Sequence, residues 1–341
     1  MPSSICSVTE FDHPSGYRLV RLENGIISFT VIPERGAEVH VFEFLPLGID
    51  ALWKAPWGLR KFASGAAAAG AGSEAAWMDQ YAGGWQGIFP NGGEPCYYRG
   101  AHHNFHGEAS IVPWSYCISQ VEEDVVCISC EVVLSRSPFL LKRRFRLERD
   151  SAVLHIEESV TNQGLVEMPA MWGHHPALGA PLLSDGCELQ IPAQNFRRHA
   201  EEQIVLWDAA GLSNVPGQDA RKAEFGYLSN FYAGWFAVRN PIIGLNFALA
   251  WPLDVFPYAW LWQECHGTLE YPWYGRSYVM AVEPFTTIPA LGLAHAVSKH
   301  AALVLEPGVT IHAKLAATLF REACGIENFS PEGELVFAKN L

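Results

Sequence analysis

The feature that most constrains the fold is a succession of short runs in which apolar and polar residues alternate, separated by turn residues. Four such runs follow one another in the second quarter of the chain, at 117–121, 125–133, 139–147 and 152–159. From Leu154 to Val160 the alternation is that of an antiparallel strand with one buried face. The pattern therefore predicts antiparallel sheet over this region.

The N-terminal part of the chain shows the same organisation. Strand-like runs at 17–22, 25–32 and 37–44 follow one another, and the last two are joined by the Pro/Gly turn at 33–36. We find no pattern for a helical domain, no internal repeat of fixed period and no linker. The sequence predicts a single all-β domain over residues 1–341.

Composition limits the possible partners. The chain has 341 residues, 17% of them charged and 12% aromatic, with a formal net charge of −13. The negative charge argues against nucleic acid and against an anionic membrane surface as partners. No apolar run is long enough to span a membrane. The first residues lack the pattern of a secretory signal, so a cytoplasmic location is expected. The many aromatic rings suit either an ordinary β core or the stacking of sugar rings.

Residues 57–101 interrupt the strand pattern with an alanine- and glycine-rich stretch, so we expect a long loop of functional importance or high mobility. It ends at 84–93, which is rich in glycine and aromatic residues. This segment fits two alternatives equally: a tight turn packed by Trp85 and Phe89, or a substrate-binding loop.

Two adjacent histidines, His174 and His175, precede Pro176 in a strand-like stretch. Because neighbouring residues of a strand point to opposite faces, one histidine should face a cleft and the other the packed interior. An imidazole has an ordinary pKa near ~6.5, which suits proton transfer at neutral pH. The alternative is that both histidines are structural.

Three further histidines, His102, His103 and His106, lie close together in the sequence. Imidazole is a common metal ligand, so the cluster suggests a metal site. No clean partner motif supplies the remaining ligands, and His102 and His103 equally fit a solvent-facing loop.

Two later strands carry candidate site residues. In 256–264 the alternation places Tyr258, Trp260 and Trp262 on one face, either as core or as a platform for a ligand. Glu283 ends an apolar strand and precedes a proline, so it is either a surface group or a buried base. Burial would raise its pKa and a nearby cation would lower it.

The order of these motifs is informative. Phe-His-Gly-Glu with His106, His-His-Pro with His175 and Val-Glu-Pro with Glu283, followed by Leu-Glu-Pro-Gly and a final strand, resembles the aldose 1-epimerase (galactose mutarotase-like) superfamily. The likeness covers most of the chain. It implies a large antiparallel β-sandwich with an open cleft that binds a monosaccharide.

The resemblance also implies roles. Glu283 would be the general base that takes the proton of the anomeric hydroxyl, His175 the general acid at the ring oxygen, and His106 a group that holds and polarises this oxygen. It favours His175 over His174 as the histidine in the cleft. Neither a metal nor an organic cofactor is needed, and the partner is a small carbohydrate. Monomer and homodimer both remain open.

The chain departs from the family pattern before the first histidine, where galactose mutarotases carry Asn-Arg and this sequence has Asn91-Gly92. The sugar-binding arginine is thus missing, and another side chain must take its part. The predicted substrate-binding residues are Gln86, Asn91, Arg99, His174, Trp262, Gln263 and Arg276. Two alternatives to an epimerase remain: a non-catalytic sugar-binding or regulatory protein of the same fold, and a metal-dependent sugar isomerase or lyase.

Overall fold

The computed structural model describes residues 6–61 and 72–339. In chain order, the strands of its first half are β1 (Ser7–Asp12), β2 (Arg18–Glu23), β3 (Ile27–Ile32), β4 (Glu38–Phe44), β5 (Ile49–Asp50), β6 (Trp85–Ile88), β7 (Cys96–Tyr98), β8 (Ala101–His103), β9 (Ser115–Val121), β10 (Val125–Val133), β11 (Phe139–Glu148), β12 (Val153–Asn162) and β13 (Met168–Ala170). The later strands are β14 (Gly173–Gly179), β15 (Glu188–Gln190), β16 (Ala193–Arg198), β17 (Ile204–Leu206), β18 (Lys222–Phe231), β19 (Trp235–Asn240), β20 (Leu245–Ala250), β21 (Tyr258–Cys265), β22 (Tyr278–Phe285), β23 (Leu303–Leu305), β24 (Thr310–Phe320), β25 (Ile326–Phe329) and β26 (Leu335–Phe337).

Two large antiparallel sheets face each other. The first has twelve strands in the order β1-β2-β3-β4-β6-β14-β22-β21-β18-β16-β17, with β5 added beside β4. The second has eight strands in the order β15-β19-β20-β24-β12-β11-β10-β9. The predicted all-β antiparallel sandwich is therefore confirmed.

The main core lies between these sheets. On β11, Phe139, Leu141, Phe145 and Leu147 are buried at alternate positions, as expected for a strand with one covered face. Aromatic rings meet across the gap, with 5.4 Å between the ring centres of Phe29 and Phe145. Burial of these apolar side chains, at about 25 cal/mol per Å² of apolar surface, is the main force that holds the sheets together.

The described residues contain two short α-helices, α1 (Gly72–Gln80) and α2 (Gly292–Ser298), and two 3-10 helices, Trp207–Ala209 and Gln218–Ala220. None of these helices is long and apolar enough to cross a membrane. The expected loop at 57–101 is in part structured, because α1, β6, β7 and the first residue of β8 fall within it. The alanine- and glycine-rich part of that expectation, residues 62–71, lies outside the described residues.

The site is built on the outer face of the first sheet. Strands β6, β14, β22, β21 and β18 are consecutive in this sheet, so residues at matching register positions form a row across it. Helix α1 and the segment 266–277 cover this row.

Candidate active site

Strand pairing brings His175 and Glu283 together. On either side of them Gly173 pairs with Phe285 and Ala177 with Ala281, so His175 of β14 stands directly opposite Glu283 of β22. Their side chains approach to 3.6 Å between His175 Nε2 and Glu283 Oε1. Residues 108 positions apart in the sequence are thus placed side by side by the sheet register alone.

The row extends on both sides of this pair. Gln86 of β6 pairs with His175, Trp260 of β21 pairs with Glu283, and Tyr227 of β18 pairs with Trp260. The Trp260 ring stacks on Phe285, with 3.7 Å between ring centres. The outer face of the sheet therefore presents a carboxyl group, an imidazole and flat aromatic rings in fixed positions.

His106 enters the site from the loop after β8. Its backbone is left-handed, with φ of 57°, and the Gly93 N–H donates to its Nδ1 over 3.3 Å. In a neutral ring Nε2 then carries the proton, so His106 offers an N–H donor to a bound molecule. The rings of His106 and His175 lie 5.8 Å apart, measured between their centres.

The rest of the Phe-His-Gly-Glu motif holds this loop. A side chain at Gly107 would meet the Phe89 carbonyl oxygen at 2.2 Å, so only glycine fits. The Glu108 carboxylate is buried and accepts hydrogen bonds from the backbone N–H groups of Ser135 and Arg136 and from the Ser137 hydroxyl. Glu108 is therefore a structural residue of the motif.

Burial changes the proton affinity of all three groups. It raises the pKa of the Glu283 carboxyl well above its ordinary value and lowers the pKa of His175 to about 4. The pKa of His106 lies well below its ordinary value because of burial and, to a smaller extent, because of His175. Both shifts favour the arrangement in which a proton shared by His175 and Glu283 resides on the carboxyl group.

A cavity of about 310 Å³ opens above these residues, within the range of small-molecule sites. His106, His175 and Glu283 line it, and so do Glu94 and His199, which are exposed at its mouth. The remaining side chains of its walls are apolar or aromatic: Trp77, Met78, Tyr81, Phe105, Phe225, Trp260, Trp262, Trp273 and Ala290.

Tyr81 and Trp77 are site residues that the sequence did not reveal. The Tyr81 hydroxyl lies 3.4 Å from His175 Nδ1, and the Trp77 ring stacks on Tyr81 with 4.6 Å between ring centres. Their spacing of four residues is that of one helix face, and Glu74 suits the first turn of a helix. This short helical pattern is the sequence signal that indicates a helix within the stretch predicted to be a loop.

His174 points away from the cavity. It lies between the two sheets, where its Nε2 is 3.1 Å from Glu158 Oε2 and its Nδ1 accepts from the Trp85 indole N–H. Arg143 pairs with the other oxygen of Glu158. Burial alone would raise the pKa of Glu158, but Arg143 and His174 lower it to about 2. We therefore remove His174 from the substrate-binding set, since its bonding shows a structural role.

Of the other predicted substrate-binding residues, Trp262 alone lines the cavity, with its ring 5.5 Å from that of His175. Gln86 stands beside His175 in the row, but its amide N–H₂ donates to Glu38 and to the Gly83 carbonyl. Gln263, on the opposite face of β21 from Trp262, is buried beside Met280.

The remaining three predicted contacts also lie elsewhere. Asn91 is fully buried and ties loops together through Glu94, Asn104 and Leu293. Arg99 donates to the Glu167 carbonyl, and Arg276 lies over the Trp57 ring at 5.7 Å. None of these three side chains is among those that line the cavity.

Position 92 has no room for the arginine expected from the family pattern. A side chain there would meet the Phe285 ring at 2.7 Å and the Trp260 ring at 3.1 Å. The stacked pair of rings therefore occupies the space that a longer residue would need.

The histidine cluster does not form a metal site. Within residues 6–61 and 72–339, no group of three or more His, Cys, Asp or Glu side chains is placed to hold a metal ion. The His102 ring contacts the Asn104 side chain, and His103 is buried in β8.

Comparison with known families gives a match over residues 14–319, to the family described as "Domain of unknown function (DUF4432)". The chain belongs to this family. The matched span of this DUF4432 protein includes His106, His175 and Glu283. A comparison with curated proteins found no match.

Solved structures share the fold of this DUF4432 protein. A proposed aldose 1-epimerase from Klebsiella pneumoniae is 16% identical with a TM-score of 0.72, and the alignment covers 93% of this chain and 84% of that one. A galactose mutarotase-like protein from Clostridium acetobutylicum is 13% identical with a TM-score of 0.66, over 93% and 99% of the two chains. The Slr1438 protein from Synechocystis is 15% identical with a TM-score of 0.67, over 94% and 98%. The chain therefore has the galactose mutarotase-like fold.

Proposed function

We propose that this protein is an isomerase of the aldose 1-epimerase type, which interconverts the α and β anomers of a monosaccharide. One observation carries the proposal. Glu283, His175 and His106 converge on one cavity, and the buried Glu283 Oε2 has no hydrogen-bond partner among the described residues. An unpaired buried carboxyl oxygen that borders a cavity favours a ligand hydroxyl.

The chemistry needs one proton to leave the anomeric hydroxyl and one to reach the ring oxygen. A group that accepts and a group that donates are therefore both required, and a His175–Glu283 pair that carries one proton supplies both, with 3.6 Å between His175 Nε2 and Glu283 Oε1. After ring opening the C1–C2 bond rotates. Closure on the other face of the aldehyde reverses both proton transfers and restores the starting protonation of the pair.

The assignment of acid and base follows from where that single proton resides. The family resemblance starts with Glu283 as base and a protonated His175 as acid, whereas burial favours the proton on Glu283. The two arrangements contain the same number of protons and differ by one transfer within the pair. His106, whose Nε2 carries the proton in its neutral form, supplies a hydrogen bond to the sugar oxygen without itself titrating.

Replacement of Glu283 tests this function. Glu283→Gln keeps the shape of the side chain and removes its proton transfer, which contributes about 10²- to 10⁴-fold. We expect the rate of anomerisation of freshly dissolved α-sugars, followed by polarimetry or NMR, to fall by that factor, while sugar binding measured by tryptophan fluorescence persists. Glu131→Gln, on an exposed strand position, is the control and should retain full activity.

Two results would contradict the proposal. A Glu283→Gln variant as active as the wild type would exclude the assigned chemistry. Wild-type protein that binds a sugar without accelerating its anomerisation would instead identify a non-catalytic sugar-binding protein of this fold.

A further inference from the structure

The polar groups of the cavity are few, and most of them are already paired. We propose that the substrate is a neutral sugar with an apolar, deoxygenated portion, and that fully hydroxylated and anionic sugars are poor substrates. This inference rests on the proposed epimerase function, because it assigns His106, His175 and Glu283 to the anomeric centre and asks what remains for the rest of the sugar.

The backbone groups of Gly93 and Ala290 at the cavity wall already form hydrogen bonds within the protein. The Gly93 N–H and carbonyl bond to His106 Nδ1 and to the His106 N–H. The Ala290 N–H donates to the Tyr227 hydroxyl, and the Ala290 carbonyl accepts from the Glu94 N–H. Each of these four groups already has its partner within the protein.

Several side-chain donors are also directed elsewhere. The Trp77 indole N–H donates to the Ser110 hydroxyl over 3.2 Å, and the Trp260 indole N–H donates to the Thr287 carbonyl over 3.0 Å. The Tyr81 hydroxyl contacts His175. These residues therefore present ring surface to a ligand, which suits C–H groups and methyl substituents.

The exposed mouth adds two polar side chains, His199 and Glu94. His199 Nδ1 bonds to the Tyr227 hydroxyl, which itself accepts from the Ala290 N–H. His199 Nε2 has no hydrogen-bond partner within residues 6–61 and 72–339, so it can bind a hydroxyl. Glu94 adds a carboxylate at the same mouth. Two polar side chains can hold one or two hydroxyls, whereas a buried hydroxyl without a partner disfavours binding.

Charge gives an independent restriction. Among the described residues that line the cavity there is no lysine or arginine, and two of them are glutamates, Glu94 and Glu283. Gly92 leaves no space for a cationic side chain beside Phe285. A sugar carboxylate or phosphate would therefore enter a site without a cation to neutralise it.

Matched sugars test the inference. We would measure kcat/KM for anomerisation of 6-deoxyglucose, glucose and glucuronate, and of 6-deoxygalactose and galactose. A hydrophobic pocket discriminates against one added hydroxyl by up to about 10²-fold. We expect each 6-deoxy sugar to exceed its parent by about tenfold or more, and glucuronate to be the poorest substrate. A parent sugar or glucuronate that equals the 6-deoxy sugar would overturn the inference and leave the epimerase function intact.

Binding tests the inference without turnover. Dissociation constants of methyl 6-deoxyglucoside and methyl glucoside, obtained from tryptophan fluorescence, should show the same preference. Equal binding, or no binding of either, would overturn the inference. Preferential binding of the deoxy compounds with no anomerisation of any sugar would refute the epimerase function and support the inferred ligand class.

A pair of variants locates the preference. Trp273→Ala removes one aromatic wall and should reduce the ratio between deoxy and parent sugars toward one. Tyr274→Ala alters the next residue of the same segment, which is 57% exposed and does not line the cavity, and should leave the ratio unchanged. An unchanged ratio in Trp273→Ala would contradict the role of the aromatic wall.

Discussion

Burial of His175 as a neutral imidazole should give the folded protein a contribution to stability that acid removes. In the unfolded chain its pKa is near 6.5, and in the folded protein burial lowers it to about 4. Between these values the unfolded state binds the proton and the folded state does not. The contribution of His175 to the free energy of unfolding is therefore fully present above pH 6.5 and is lost as the pH falls toward 4.

The linkage relation gives the size of the effect. Between pH 7 and pH 4.5, these two pKa values correspond to a loss of about 2 to 3 kcal/mol in the free energy of unfolding. His175→Gln cannot titrate, so it should lack this part of the loss. The measurement is urea denaturation of wild type and variant at both pH values. The loss in the free energy of unfolding between pH 7 and pH 4.5 is then compared between the two proteins.

His312→Gln serves as the matched control, because His312 lies at an exposed position of β24 and is solvated in both states. Its pH dependence should follow that of the wild type. If His175→Gln loses as much stability as the wild type between pH 7 and pH 4.5, the imidazole is not buried in its neutral form and the reasoning fails.

Two further predictions distinguish the proposed catalytic role of His175 from the structural role of His174. The acid limb of the pH profile of kcat/KM should lie near pH 4, where the His175 imidazole becomes protonated; an acid limb near 6.5 would contradict the buried neutral imidazole. His174→Gln should lower the free energy of unfolding by about 1–3 kcal/mol, because the buried Glu158 carboxylate loses the imidazole that lies 3.1 Å from its Oε2, while kcat of the folded variant stays close to wild type. Thermal or urea denaturation and the anomerisation assay check both parts, and a His174→Gln variant that is stable but inactive would place His174 in the site after all.

The fold could be predicted from the sequence because its main information is local. Alternation on β11 and β12 directly reports which residues face the other sheet, and turn residues mark where each strand ends. The convergence of His175 with Glu283 could not be obtained this way, since it depends on the register between strands that are distant in sequence. The family resemblance, and not the periodicity of the strands, predicts that His175 and Glu283 share one site.

Substrate contacts are also hard to predict from the sequence, because they depend on elements that are distant along the chain. Arg99, Arg276 and Gln263 have side chains that could bind a sugar, yet each has a partner or packing outside the cavity. Trp77 and Tyr81 reach the site only because α1 folds back over the sheet, which no local pattern indicates. His174 and His175 were correctly expected to face opposite sides, but only the position of Glu158 on the other sheet shows which environment His174 has.

The cross-strand row has an evolutionary consequence. Strands in a sheet lie about 4.8 Å apart, so the backbone hydrogen bonds between β14 and β22 fix the spacing of His175 and Glu283. Insertions and substitutions in α1 or in the segment 266–277 can change the covering wall without altering that spacing. Lineages with this fold can therefore acquire new ligand preferences by changing the cover, while the proton-transfer geometry beneath it stays the same.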